Sequence, residues 1–136
     1  QQGDRILVNK FIYKFKAPER GDIAVFKPPH EPKKNFVKRL IAMSGEEVEI
    51  KEGRIYVNGE AIKDNPGPIG RIYYYNRGEY GREGVKIKVP EGYLFVLGDN
   101  SINSHDSRYW GFVPKKNLIG KTFLIFWPPN RLRMPK

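Results

Sequence analysis

Lys38 sits where a lysine is costly. It lies inside the apolar run Phe36-Val37-Lys38-Arg39-Leu40-Ile41. In an extended chain alternate residues share a face, so Lys38 falls with Phe36 and Leu40, and Arg39 with Val37 and Ile41. Burying a charged amine is unfavourable, so an apolar face lowers its pKa, and a neighbouring cation such as Arg39 does the same. A lysine that is neutral at working pH can take a proton from a hydroxyl or a water. Taken alone, the residue fits more readily a strand edge from which the stem snorkels to solvent. A second polar concentration lies in Gly98–Arg108, which places two Asp, three Ser, two Asn and an Arg in eleven positions. Such a loop either organises a site through a polar network or satisfies its own turns by side-chain to backbone bonds.

Other chemistries find less support. His105 precedes Asp106 directly, and neighbours in a loop seldom present one hydrogen-bonded pair to a shared substrate, which weakens a Ser-His-Asp reading. The chain has no cysteine, which removes disulfides, thiol catalysis and Cys-based metal sites. Two isolated histidines, His30 and His105, and no acidic cluster at ligand spacing give no metal site, and no cofactor is expected. The net charge of +10 suits an anionic partner, either nucleic acid or an anionic membrane surface, and equally a solvated lysine-rich surface.

The elements that must position Lys38 and the loop read as strands. The 136 residues suffice for one modest core, and 14 Gly with 11 Pro favour short strands and turns. Strand-like runs are Arg5–Val8, Ile23–Phe26, Phe36–Met43, Val48–Ile50, Arg54–Val57, Val85–Val89, Tyr93–Leu97 and Thr122–Trp127. Lys51-Glu52-Gly53 reads as a hairpin turn, and Asn58-Gly59 as a second tight turn because both residue types accept positive φ. Tyr93–Leu97, nearly all apolar, is the candidate central buried strand. The stretch 64–90, rich in Gly, Pro, Tyr and Arg over its first part, reads as an excursion in the form of a twisted β-ribbon. The expectation is an all-β (mainly β) domain spanning 1–136, with no helix longer than about two turns.

Taken together, three segments resemble the boxes of type I signal peptidases. They are Gly3-Asp4-Arg5-Ile6-Leu7-Val8-Asn9-Lys10, the Lys38-Arg39 strand with Gly45 following, and Gly98-Asp99-Asn100-Ser101-Ile102-Asn103-Ser104-His105-Asp106-Ser107-Arg108. The Lys51–Gly59 hairpin, Gly111-Phe112-Val113-Pro114 and the strand from Gly120 to Trp127 are similar too. The resemblance implies a fold of short antiparallel strands in coiled sheets and a Ser/Lys-dyad serine endopeptidase. By it Lys38 is the general base and Ser104 orients its amine. Arg39, Asp99, Asp106 and Arg108 brace the site. Asn35, Phe36 and Val37 line the edge against which an extended substrate adds as a strand. The implied substrates are signal peptides of secreted preproteins, cut after Ala-x-Ala-like sequences.

In the family the nucleophilic serine lies in a Ser-Met-x-Pro-Thr box shortly before the first Gly-Asp. That spacing places it upstream of Gln1, so this chain is expected to be inactive alone. Met43-Ser44-Gly45-Glu46 stands where the family usually has Pro-Gly-Asp, a change expected to alter only a turn. The resemblance also implies an N-terminal membrane anchor, with the catalytic domain on the outer (periplasmic, extracellular or thylakoid-lumenal) face. The apolar-aromatic run Phe123–Trp127, followed by Arg131 and Arg133, suits either a core strand or a membrane lipid surface. Two other readings stay open. One is a signal-peptidase-like protein that binds without cutting; the other is a basic β-barrel that stacks nucleic-acid bases on Tyr73-Tyr74-Tyr75. Scattered basic residues argue against nucleic acid, and the sequence fixes no oligomeric state.

Overall fold

Runs of β-branched and aromatic residues, cut by Gly and Pro, leave room only for short strands. A computed structural model describes residues 4–63 and 67–126. In chain order its strands are β1 (Asp4–Asn9), β2 (Ile23–Phe26), β3 (Phe36–Ala42), β4 (Glu47–Lys51), β5 (Arg54–Val57), β6 (Glu60–Ala61), β7 (Ile87–Lys88), β8 (Tyr93–Leu97), β9 (Val113–Pro114) and β10 (Leu118–Phe126). Six form one sheet in the order β1-β10-β2-β3-β8-β9, and four form a second in the order β6-β5-β4-β7. Every pairing is antiparallel. The helices α1 (Ile12–Phe15) and α2 (Ser107–Trp110) are single turns. Among the described residues no helix is long and apolar enough to cross a membrane.

The two sheets explain where the apolar runs go. β8 is the fifth strand of six rather than central, yet it is buried on both faces. Leu94 and Val96 point into a cluster with Ala24, Phe26, Leu40 and Val113. Phe95 and Leu97 point the other way, into a cluster with Ile41, Val48, Ile50, Ile55, Val57 and Tyr74 from the second sheet and its neighbours. A strand buried on both faces reads as continuous apolar sequence, which is what Tyr93–Leu97 shows. Asn58 and Gly59 turn β5 into β6 with φ of 52° and 85°, the positive values a tight two-residue hairpin needs.

The stretch 67–90 pairs sparingly. Ile87–Lys88 joins β4, and Tyr74 makes an isolated bridge to Gly53. Elsewhere it carries 3-10 turns at Gly67–Arg71 and Glu79–Gly81. Gly and Pro supply too few donors and too little stiffness for a ladder there. Tyr74 is fully buried whereas Tyr73 is exposed, so the three tyrosines do not form one stacking surface. Met43–Glu46 is a turn closed by Glu46 N–H donating to Met43 O at 3.0 Å. The Ser44 hydroxyl stitches it to the start of β8 by donating to Tyr93 O and accepting from Gly92 N. The side chains of Phe123–Phe126 and all of Trp127, Arg131 and Arg133 lie outside the described residues.

Candidate active site

β3 and β8 diverge at the point where the site forms. Their pairing runs through Leu40↔Val96 and Arg39↔Leu97. Gly98 would be the next partner, opposite Lys38, but there the chain leaves the sheet as the polar loop. Phe36, Val37 and Lys38 are paired on the β2 side, with Phe26, Val25 and Ala24. No described strand occupies their other edge. Lys38 thus stands beside an open strand edge, with the loop folding back over its amine.

The loop brings Ser104, 66 residues away in sequence, to the lysine: Lys38 Nζ donates to Ser104 Oγ at 3.0 Å. Lys38 is half-buried, and its Nζ lies 5.7 Å from the centre of the Phe36 ring. Burial is the chief cause holding its pKa below the usual lysine range. The Arg108 charge lowers it further, and the Asp106 charge opposes both. An amine that gives up its proton more readily than an ordinary lysine, set beside a hydroxyl, is equipment for moving a proton.

Beneath the pair, Asp106 and Arg108 form an ion pair with both side chains fully buried. Asp106 caps α2 by accepting Arg108 N–H, and it accepts Gly98 N–H at 3.0 Å. Arg108 donates back to Asp106 through Nε at 2.9 Å and Nη2 at 3.0 Å. Its remaining donors reach Tyr75 O, Ser101 Oγ, Ser101 O and, at 3.4 Å, Ser104 O. A buried ion pair persists only when its hydrogen-bonding groups are met in this way. On the opposite face of β3, Arg39 grips Asp99 with Nε and Nη2 at 2.9 and 2.7 Å and donates to Gly21 O at 2.9 Å. That clamp fixes the first residues of the loop to β3.

The structure therefore brings Lys38, Ser104, Arg39, Asp99, Asp106 and Arg108 together. Asn35, Phe36 and Val37 lie along the open edge: Asn35 accepts from Lys27 Nζ at 3.3 Å, and Val37 is exposed. Phe36 packs into an aromatic cluster with Phe26, His30 and Trp110. His105 is not joined to Asp106 as in a triad: its ring lies 5.3 Å from Tyr109, while the Asp106 carboxylate is filled by Arg108 and Gly98. Sequence reasoning missed Gly98, where a Cβ would overlap Ser104 Oγ and lie 3.4 Å from Lys38 Nζ. It also missed Ser107, whose hydroxyl accepts Val96 N–H, and Ser101. The strict step from buried strand to Gly was the available signal for the first. Among the described residues, no group of three or more His, Asp or Glu converges as a metal site.

Residues 1–127 match the family described as signal peptidase, peptidase S26. The chain belongs to this family. It is 42% identical to the probable signal peptidase I-2 of Synechocystis sp. over 97% of its own length, and 41% identical to signal peptidase I of Leptolyngbya laminosa over 95%. It is also 33% identical to thylakoidal processing peptidase 1, chloroplastic, of Arabidopsis thaliana over 96% of the chain and 39% of the relative. The chain spans 59% of the Synechocystis relative and 63% of the Leptolyngbya one. A crystal structure of a signal peptidase I from Enterococcus faecalis superposes with a TM-score of 0.61 at 34% identity, covering 78% of this chain and 97% of that one. The mainly β, antiparallel fold expected from the sequence is thus the fold of this family.

Proposed function

We propose that this chain supplies the base and the substrate-binding edge of a membrane-associated serine endopeptidase that removes signal peptides from secreted preproteins. The observation that carries the reading is the 3.0 Å hydrogen bond between Ser104 and the amine of Lys38, whose pKa burial lowers. The attacking hydroxyl belongs to the serine box expected before Gly3-Asp4. Lys38 takes that hydroxyl's proton as the oxygen bonds to the scissile carbonyl carbon. The amine then returns the proton to the leaving nitrogen as the C–N bond breaks, leaving an acyl-enzyme. Water, deprotonated by the same amine, splits the ester and restores both groups.

Ser104 keeps the amine's lone pair aimed, and the Asp106–Arg108 pair holds the loop that carries Ser104. The preprotein lies extended along Asn35, Phe36 and Val37, where an open edge offers main-chain hydrogen bonds. The lipid surface beside which the substrate is presented is the second partner. The test is cleavage of an Ala-x-Ala-containing preprotein by the full-length protein in anionic vesicles. Lys38→Ala is expected to abolish cleavage, and Ser104→Ala to slow it about 10²- to 10⁴-fold. Undiminished cleavage by the folded Lys38→Ala variant would overturn the assignment.

A further inference from the structure

Arg108 is held from two sides, and only one of them is its own loop. The other is the stretch that leaves the second sheet. Tyr75 O accepts from Arg108 Nη1 at 2.8 Å. Tyr75 N–H donates to Ser101 Oγ at 2.9 Å, and Arg108 Nη1 donates to the same oxygen at 3.0 Å. One hydroxyl therefore receives a donor from each side. The contact continues through Gly78, at φ 68°, where a Cβ would overlap the Arg108 carbonyl oxygen. At Gly81 a Cβ would come within 2.8 Å of Arg108 Cγ. Asn76 fixes the bend between them by donating to Ile50 O in β4 and to Gly81 O, both at 2.8 Å. Residues 75–81 thus wrap Arg108 while tied to the second sheet, and none of the residues assigned to the chemistry lies on them.

We propose that Ser101 is a positioning residue for the Lys38–Ser104 pair, fastening the 75–81 segment to Arg108 so that the second sheet braces the loop over the amine. The proposal rests on reading Lys38 as the base. Force passes along named bonds. Arg108 reaches Ser104 O directly, and through Asp106 it holds Gly98 N–H, opposite Lys38. Without the Ser101 hydroxyl, Tyr75 N–H and one Arg108 N–H lose a buried acceptor, and such groups recover partners by admitting water or shifting. Water that enters there reaches the underside of the loop. Burial is what chiefly holds the Lys38 amine in its lowered range, so hydration moves its titration upward.

The experiment compares Ser101→Ala, Ser101→Thr and Gly78→Ala with the parent in the full-length protein. Two quantities are read: the titration midpoint of Lys38, from the side-chain NMR signal of isotopically labelled lysine, and the kinetics on an Ala-x-Ala peptide. Ser101→Ala is expected to raise the Lys38 midpoint by about half a pH unit. It should lower kcat about tenfold with KM nearly unchanged. Ser101→Thr keeps the hydroxyl and should return both toward the parent. Gly78→Ala presses on Arg108 from the brace side and should move the midpoint in the same direction, and it decides the matter if Ser101→Ala does not fold. A residue that merely stabilises the fold would lower the melting temperature and leave the midpoint in place. A folded Ser101→Ala protein with the parent's midpoint and kcat overturns the proposal. If the parent cuts no peptide, the peptidase reading fails, while the Lys38 midpoint still decides the role of Ser101.

Discussion

Gly98 lies one register step beyond the Arg39–Leu97 pair, opposite Lys38, and its missing side chain is the space that Ser104 Oγ occupies. The hydrogen bond between lysine and serine thus depends on a residue that touches neither through any side chain of its own. A methyl group at that position would displace the hydroxyl, and backbone on both sides is held, by Leu97 in the sheet and by Asp106 on the Gly98 N–H.

Gly98→Ala is therefore expected to cut peptidase activity about 10²-fold in the full-length protein, the size of loss that a small misplacement of a catalytic group produces. Circular dichroism and the melting temperature would report the fold largely retained. Activity within a factor of about two of the parent would show that the Lys38–Ser104 bond is not used.

The Asp106–Arg108 pair makes a separate prediction, about stability. Asp106→Asn keeps the shape but leaves the fully buried Arg108 charge without its counter-charge. Breaking a buried pair from one side costs about 3–5 kcal/mol. Urea unfolding should show a loss of that size. The affected bonds also include Gly98 N–H and the α2 cap, so the loop should loosen along with it.

Much of this fold was legible because it is written locally. Ile23–Phe26 and Tyr93–Leu97 read as strands with the bounds the structure gives them, since a β-rich run closed by Gly or Pro has few other solutions. Asn58-Gly59 read as a turn for the φ values it adopts. Over residues 67–90 the Gly and Pro residues announced turns but not that Tyr74 would be buried while Tyr73 stays exposed, because that depends on packing against the second sheet. The Lys38–Ser104 bond joins residues 66 apart, and no local pattern encodes such a pairing. Lys38 stood out by itself as a lysine in an apolar run, and Ser104 was joined to it only through resemblance to a family. Ser101 was passed over because its role depends on Tyr75, which only the folded chain brings near.

Arg39 offers a test of geometry rather than charge. Its fork reaches both oxygens of Asp99 and still spares a donor for Gly21 O. A lysine carries the same charge but cannot make the parallel bonds. Asp99 is 41% exposed, so screening reduces what the ion pair itself contributes. The larger loss is the hydrogen bonding of a residue that is 4% exposed. Arg39→Lys should cost about 1–3 kcal/mol in urea unfolding and reduce activity by releasing the start of the loop from β3.

The last prediction concerns pH, and its sign follows from where Lys38 binds protons. Burial holds its pKa in the folded protein below the usual lysine value of about 10.4. Between those two pKa values the unfolded chain binds the extra proton and the folded one does not, so stability rises with pH in that window. Below the lowered pKa the folded protein carries the full cost of a charged, half-buried amine; above about 10.4 that cost is gone. Lys38→Met removes the titration while keeping an unbranched side chain. Its stability relative to the parent should therefore be most favourable at low pH and decline as pH rises toward about 10.4. Tyr13 and Tyr74, both raised by burial, lower stability in alkali for parent and variant alike, and so cancel in the difference. The measurement is a pair of urea titrations at several pH values, with peptidase activity of the full-length parent followed alongside. Activity should rise through the same lowered pKa as the amine becomes neutral. A stability difference that stays level across the window would mean that Lys38 titrates as an ordinary surface lysine and that burial does not ready it as a base.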